Sequence, residues 1–313
     1  MKLITAITNY ELRITKNVLF FSSLRGRIRS ILTRQSILSF FLLFFVSFAF
    51  ADYKRIVSLA PLVTESLYEL GMDNEIAGIT TYCPKGNHKK EIVGTLLEPD
   101  LEKIALMKPD LIISTKDGNN KAAVEKLMRL DFNVYVMETS ENFDAICSNF
   151  LALAKVVGKE KEAEKIISDS KESVKKIEKR LAPQKKQSVL WQVGAKPLYV
   201  AAGESFVNSY NYYTKTLNVY ADVMLRYPAV EIENVLQKDP DIIILVNMGD
   251  ITPHEIKFWK KYKNITAVKN DKIFMIDVND MFTPTPSTFA KGVTLLAHTI
   301  YPDVFEDDYD DDE

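Results

Sequence analysis

The chain has 313 residues, 47% hydrophobic and 26% charged, with 11 Gly, 12 Pro and 2 Cys. That balance describes a globular chain long enough for two lobes, and two cysteines exclude a disulfide scaffold or a cysteine-built metal centre. The net charge is −2, or −8 once residues 1–51, with seven Lys/Arg and one Asp/Glu, are set aside. Nucleic acid needs a basic face, so no nucleic-acid partner is expected.

The N-terminal stretch stands apart. Arg25, Arg27, Arg29 and Arg34 precede the apolar run from Ile37 to Ala51, which ends on Ala49-Phe50-Ala51. This is the layout of a signal peptide on an over-long N-terminal extension, cleaved before Asp52. At about 15 residues the run falls short of the ~20 that span a bilayer. No cysteine follows it until Cys83. The expectation is a soluble periplasmic protein without a lipid anchor.

From Tyr53 the chain alternates. RIVSL, EIAGIT, LIIST and NVYVM read as strands; PLVTESLYELG, the segment after Glu102, residues 120–130 and residues 142–157 read as helices. Such alternation predicts a mainly parallel sheet covered on both faces, over residues 52–158. Ligands of such sheets bind beyond the C-terminal strand ends. Those ends carry Ala60, Thr64, Thr81, Tyr82, Cys83, Lys116, Asp117, Glu138 and Thr139. Cys147 shares an apolar helix face with Phe143, Ile146 and Phe150 and reads as core.

Residues 159–182 predict one long polar helix with a narrow apolar stripe at Ala163, Ile166, Ile167, Val174, Ile177 and Leu181. Glu162–Lys165, Glu172–Lys175 and Glu172–Lys176 are spaced to pair along it. The flanks of this helix resemble each other. EKIALMKPDLIIS begins at Glu102 and ENVLQKDPDIIIL at Glu233. In each, a Glu opens a short helix that Pro109 or Pro240 stops, and Asp110 or Asp241 leads into a buried strand. Two such phrases in matched register imply two related lobes joined by the long helix.

The second lobe, residues 183–303, opens with SVLWQVGAKPLYVAAGESF, a strand pair followed by a helix near Ser205. Its strand ends and loops carry Trp191, Gln192, Gly203, Phe206, Tyr227, Met248, Gly249, Asp250 and Asn279. FAKGVTLLAHTIYP is the closing helix, with His298 a packed helix residue. Residues 304–313 form an acidic tail with the composition of a disordered segment.

Residues Arg55 to Pro302 resemble the class III (helical-backbone) periplasmic substrate-binding proteins of ABC importers for cobalamin, ferric siderophores and haem. The resemblance is carried by RIVSLAPLVTESLYELG, VGTLLEPDLEKIALMKPDLIIS, Trp191–Phe206, YPAVEIENVLQKDPDIIIL and GVTLLAHTIYPD. It implies an α/β fold of two Rossmann-like lobes on one backbone helix, acting as a monomer with little hinge closure. It also implies an ABC permease and ATPase complex in the inner membrane as partner. Glu102 and Glu233 match the family's pair of glutamates that dock on permease arginines, although acidic residues also favour helix N-termini for electrostatic reasons.

GITTYCP and LWQVGAKPLYVAAGESF look most like the cobalamin-binding branch, which implies that Tyr82 and Tyr227 line the cleft. Thr64, Cys83, Lys116, Trp191, Gln192, Phe206 and Met248 complete the expected ligand-binding set. A corrinoid is favoured and a ferric siderophore comes next. The loop VGTLLEP lacks the tyrosine of the haem-binding branch, and Lys85, Lys116, Lys196 and Arg226 are too scattered for a highly anionic chelate. His88, His254 and His298 form no catalytic set, so no enzyme activity, metal site or cofactor is expected. A chelatase-like enzyme, a haem or free-metal-ion receptor and a sensor or chaperone on the same fold remain as alternatives.

Overall fold

A computed structural model describes residues 53–247, 251, 253–277, 281 and 283–307. The expected leader 1–51, most of the expected acidic tail, and Met248, Gly249, Asp250 and Asn279 lie outside the described residues. The start of that tail is not disordered, for Phe305 is fully buried and Arg180 donates to the Val304 carbonyl at 2.7 Å.

The first lobe runs β1 (Ile56–Ser58), α1 (Pro61–Glu69), β2 (Ile76–Ile79), β3 (Glu91–Ile92), α2 (Leu101–Met107), β4 (Leu111–Thr115), α3 (Lys121–Arg129), β5 (Val134–Met137) and α4 (Phe143–Val156). Its sheet is ordered β3-β2-β1-β4-β5 and is parallel throughout. Residues of β1 and β4 alternate between two apolar clusters, Ile56 and Ile113 on one face and Val57 and Ile112 on the other. A strand buried on both sides must be a continuous apolar run, as these are.

Helix α5 (Glu160–Leu181) follows. At 1.5 Å per residue its 22 residues make a rod of about 33 Å. Glu160 and Glu162 in the first turn and Lys179 and Arg180 in the last complement its dipole. Ala163, Ser170, Val174, Ile177 and Leu181 are its buried stripe, while Ile166 and Ile167 pack at the margin. Of the expected surface pairs Glu172–Lys176 forms, at 2.8 Å. Glu162 pairs instead with Lys159, at 3.5 Å, and Lys165 with Asp169, at 3.8 Å.

The second lobe contains β6 (Gln187–Gly194), β7 (Tyr199–Val200), α6 (Val207–Tyr213), β8 (Thr216–Asn218), α7 (Ile232–Lys238), β9 (Ile242–Asn247), α8 (Pro253–Trp259), α9 (Thr266–Lys269), β10 (Ile273–Asp277) and α10 (Pro286–Ile300). Strands β10, β9 and β6 run parallel in that order. On the other edge of β6, β8 pairs parallel along its start and β7 antiparallel near its end. The fold is therefore α/β, two mainly parallel sheets with helices on both faces and one long helix between them. The short elements β3, β8, α8 and α9 carry no periodic signal in the sequence and emerge only here.

The repeated phrases fold alike. Lys108 and Asp239 close α2 and α7 in the left-handed conformation (φ 48° and 40°). Asp110 then accepts from the Lys54 and Arg55 backbone N–H groups, and Asp241 from that of Ser188, with nearest distances of 2.7 Å in both lobes. Each aspartate thus pins the start of the neighbouring central strand, β1 or β6.

The lobes are joined by more than α5. Phe143 of α4 stacks on Phe289 of α10 at 4.5 Å and meets Tyr213 edge-on at 5.9 Å. Through Phe143, Ile146 and Cys147 the core of the second lobe extends into the first. Nearby, Glu69 Oε1 accepts from the hydroxyls of Thr285, at 2.6 Å, and Ser287, where α10 begins. Glu69 Oε2 is buried and accepts no hydrogen bond among the described residues. Burial raises this carboxyl above the usual range, against the hydrogen bonds from Ser287 and Thr285 that lower it.

Candidate functional site

The C-terminal strand ends of both lobes face a cleft of about 320 Å³. From the first lobe come Leu96, the turn 115–118 and residues 138–140; from the second come Phe206, Arg226 and Tyr227. A second hollow of about 630 Å³ adjoins it over Pro61 and Thr283, walled by Glu65, Tyr82, Lys291 and Leu295.

Three asparagines and one glycine hold these loops. Asn119 is 8% exposed. Its Oδ1 accepts from the Thr115 N–H at 2.8 Å, and its Nδ2 donates to the carbonyls of Leu59 at 2.8 Å and Leu96 at 3.0 Å. One side chain thus ties together three loops that follow β1, β3 and β4. Asn149 of α4 does the same for 138–140, donating to the Glu138 and Thr139 carbonyls and to Ser140 Oγ. Asn208 Nδ2 donates to the carbonyls of Ala202, Gly203 and Ser205.

The loop carrying Arg226 and Tyr227 is a strap. The N–H groups of Val200, Ala202, Gly203 and Glu204 donate to the carbonyls of Pro228, Arg226, Val223 and Leu225 at 2.8–3.1 Å. A Cβ on Gly203 would lie 2.7 Å from the carbonyl oxygens of both Ala221 and Val223, so only glycine allows so close an approach.

The electrostatics of the cleft are paired. Lys116 Nζ lies 2.6 Å from Glu138, and Arg226 reaches across from the second lobe to Asp117, at 2.8 Å. Burial pushes the Asp117 carboxyl up, but hydrogen bonds from Thr139 and Arg226 and the positive charges of Arg226 and Lys116 outweigh it and hold it below the usual range. The hydrogen bond to Glu138 raises the Lys116 ammonium, and the bond to Asp117 raises the Arg226 guanidinium. Burial raises the Tyr227 phenol, against a hydrogen bond with Ser205 and the charge of Arg226, which lower it.

Of the expected ligand-binding residues, Lys116, Phe206 and Tyr227 come together in the cleft, and Tyr82, 79% exposed, stands in the adjoining hollow. Four others are corrected by the structure. Thr64 is fully buried, its hydroxyl 2.7 Å from Ser58 Oγ. Cys83 is buried in the first core, its Sγ 3.1 Å from Thr80 Oγ1. Trp191 and Gln192 are consecutive on a strand covered on both faces, so neither parity reaches solvent. Trp191 donates from Nε1 to Asn211 at 2.9 Å, and Gln192 bonds Glu255 and Trp259. Met248 lies outside the described residues. Cys83 and Cys147 are both free and buried.

Glu102 and Glu233 sit exposed in the first turns of α2 and α7. Asp100, not Glu102, caps α2, accepting from the Lys103 N–H at 3.0 Å. Capping therefore leaves Glu102 turned outward. Sequence reading overlooked Asn119, Asn149 and Glu69. The polar turn Asp117-Gly118-Asn119 was a usable signal for the first; Glu69 has none, because its partners Thr285 and Ser287 lie 216 and 218 positions away.

Two α/β lobes on a helical spacer, with a loop-lined cleft between their strand ends, define a ligand-binding protein of the two-lobed type. The model of the periplasmic binding protein family matches residues 56–279, and the chain belongs to that family. It is 28% identical over 237 residues to the vitamin B12-binding protein of Vibrio cholerae, covering 75% of this chain and 85% of that one. An uncharacterized ABC transporter substrate-binding lipoprotein of Bacillus subtilis, YvrC, is 26% identical, with 81% and 82% covered. Among solved structures, a possible iron-binding (periplasmic solute-binding) protein of Staphylococcus epidermidis superposes with a TM-score of 0.70 at 28% identity, covering 80% of this chain and 99% of that one. The vitamin B12-binding protein BtuF of V. cholerae gives 0.68 at 26%, covering 80% and 97%. Among the described residues no helix is long and apolar enough to cross a membrane.

Proposed function

We propose that this protein captures a metal-chelate ligand in the inter-lobe cleft and delivers it to an ABC permease and ATPase complex, acting in the periplasm as a binding protein and not as an enzyme. A corrinoid such as cobalamin is the favoured ligand and a ferric chelate the second. The observation that carries the reading is the cleft of a periplasmic binding protein walled by aromatics, Phe206 and Tyr227 within it and Tyr82 beside it. Aromatic faces offer a planar macrocycle large contact area at little cost in side-chain entropy. The likeness to a vitamin B12-binding relative favours the corrinoid. That to the S. epidermidis protein keeps iron chelates second.

Calorimetric titration with cobalamin, cobinamide, haem and ferric siderophores tests the ligand. Tryptophan fluorescence is the poorer reporter, since Trp191 and Trp259 are 1% and 0% exposed. One-to-one corrinoid binding supports the reading; binding of a siderophore alone keeps transport and discards the corrinoid. For the partner, reversing the charge of both Glu102 and Glu233 is expected to abolish uptake in cells while calorimetric ligand affinity stays unchanged. Uptake that survives the double reversal removes these glutamates from docking.

A further inference from the structure

The cleft contains two cations and two carboxylates among its described lining residues, and each cation already bonds a carboxylate. The Lys116–Glu138 pair lies within the first lobe. The Asp117–Arg226 pair spans the opening, with side chains 43% and 38% exposed to whatever enters. Both ends are fixed. Asp117 sits in the turn tied by Asn119 and is bonded by Thr139; Arg226 rides on the strap stitched to residues 200–204.

Such pairing discriminates among chelates. A polycarboxylate complex that bonds Arg226 must either displace Asp117 or bring its own negative charge beside the Asp117 and Glu138 carboxylates, an unfavourable like-charge contact in both cases. An uncharged ligand rich in carboxamides meets no such conflict. Its N–H groups donate to the outer lone pairs of Asp117 and Glu138, and its carbonyls accept from the N–H groups of Arg226 turned away from Asp117. We propose that the Asp117–Arg226 pair is a specificity clasp that commits the cleft to uncharged, amide-bearing chelates and turns away polycarboxylate ones. Asp117 is then the residue that determines specificity, by neutralising a cation that would otherwise recruit anions. The inference rests on the ligand-capture reading above and deepens it.

The test measures the affinities of the purified protein for cyanocobalamin and ferric citrate by calorimetry, in the native sequence and in Asp117→Asn, Asp117→Ser and the swap Asp117→Arg/Arg226→Asp. Both single variants are expected to raise ferric citrate affinity about tenfold, comparable to one charge-assisted contact, with a gain that fades as salt is added. The swap restores a pair and is expected to return ferric citrate affinity to the native level, an outcome that a merely structural role for Asp117 does not produce. The clasp is overturned if neither single variant gains ferric citrate affinity, or if the native protein already binds it as tightly as they do. Gain of ferric citrate in the variants without corrinoid binding by the native protein overturns the corrinoid reading and keeps the clasp. Corrinoid binding with no such gain does the reverse.

Discussion

Where the lobes meet beside α5, Phe143 lies 3% exposed between Phe289 and Tyr213, in a core that belongs to both lobes. Where they meet across the cleft, Asp117 and Arg226 form an ion pair about two-fifths open to solvent. Burial of a phenylalanine yields a few kcal/mol that persist whatever the ligand does, whereas an exposed ion pair contributes at most ~1 kcal/mol and is screened by salt. One contact is suited to be permanent and the other to be remade. The apolar seam thus ties the lobes together beside the helical rod, and the ion pair lies on the side where contacts are cheap to exchange.

The largest effect is expected at the seam. Phe143→Ala should cost ~3–5 kcal/mol in urea unfolding, as a large buried side chain leaves a cavity; a cost below ~1 kcal/mol would mean the lobes are not joined there. Next comes the cleft. Tyr227→Ala should weaken the bound chelate by ~1–2 kcal/mol in calorimetry with little change in the unfolding midpoint, the inverse of the Phe143 signature.

Glu69 belongs to the seam but is polar, and pH separates it. Its carboxyl is raised in the fold, so the native state keeps the proton to higher pH than the unfolded chain does. Its contribution is therefore complete below the ordinary carboxylate range and declines as pH rises through the raised value. Glu69→Gln keeps an acceptor for Thr285 and Ser287 but cannot ionise. Relative to the native chain it should gain stability as pH rises from the ordinary carboxylate range through the raised value, read by urea unfolding at a series of pH values. Parallel pH profiles of the two proteins would place the raised carboxyl elsewhere.

The smallest effect belongs to the clasp. A double-mutant cycle of Asp117→Asn and Arg226→Gln in unfolding should give a coupling below ~1 kcal/mol that vanishes at high salt. Asp117 is depressed in the fold, so what the pair contributes is present above the ordinary carboxylate range and lost as pH falls through the lowered value. A coupling of several kcal/mol would make the pair a structural tie instead of a specificity element.

Much of this architecture was legible along the chain because its causes are local. Pro109 and Pro240 stop helices wherever they stand, and a β-branched run such as Ile242–Leu245 reads as a doubly covered strand from composition alone. The Glu-to-Pro-Asp phrase recurs because each lobe solves the same local problem, ending a helix and pinning a strand with Asp110 or Asp241. The site was only half legible. Lys116 and Phe206 follow from the rule that strand ends face ligand, and Tyr227 from the family resemblance; yet the strand-end rule wrongly exposed Trp191 and Gln192, since it does not say which residues a covering helix reaches.

The sequence by itself determined the main strands and helices, the two lobes and the long helix between them, because propensity, periodicity and capping act over a few residues. Only the tertiary structure decided that Asn119 ties three loops, that Glu69 reaches the start of α10, and that Asp117 meets Arg226 across the cleft. These contacts join residues 60, 216 and 109 positions apart, in that order. At such separations chain packing, not local preference, chooses the partner, and a hydrogen bond or ion pair forms where burial and fixed backbone leave that partner within reach.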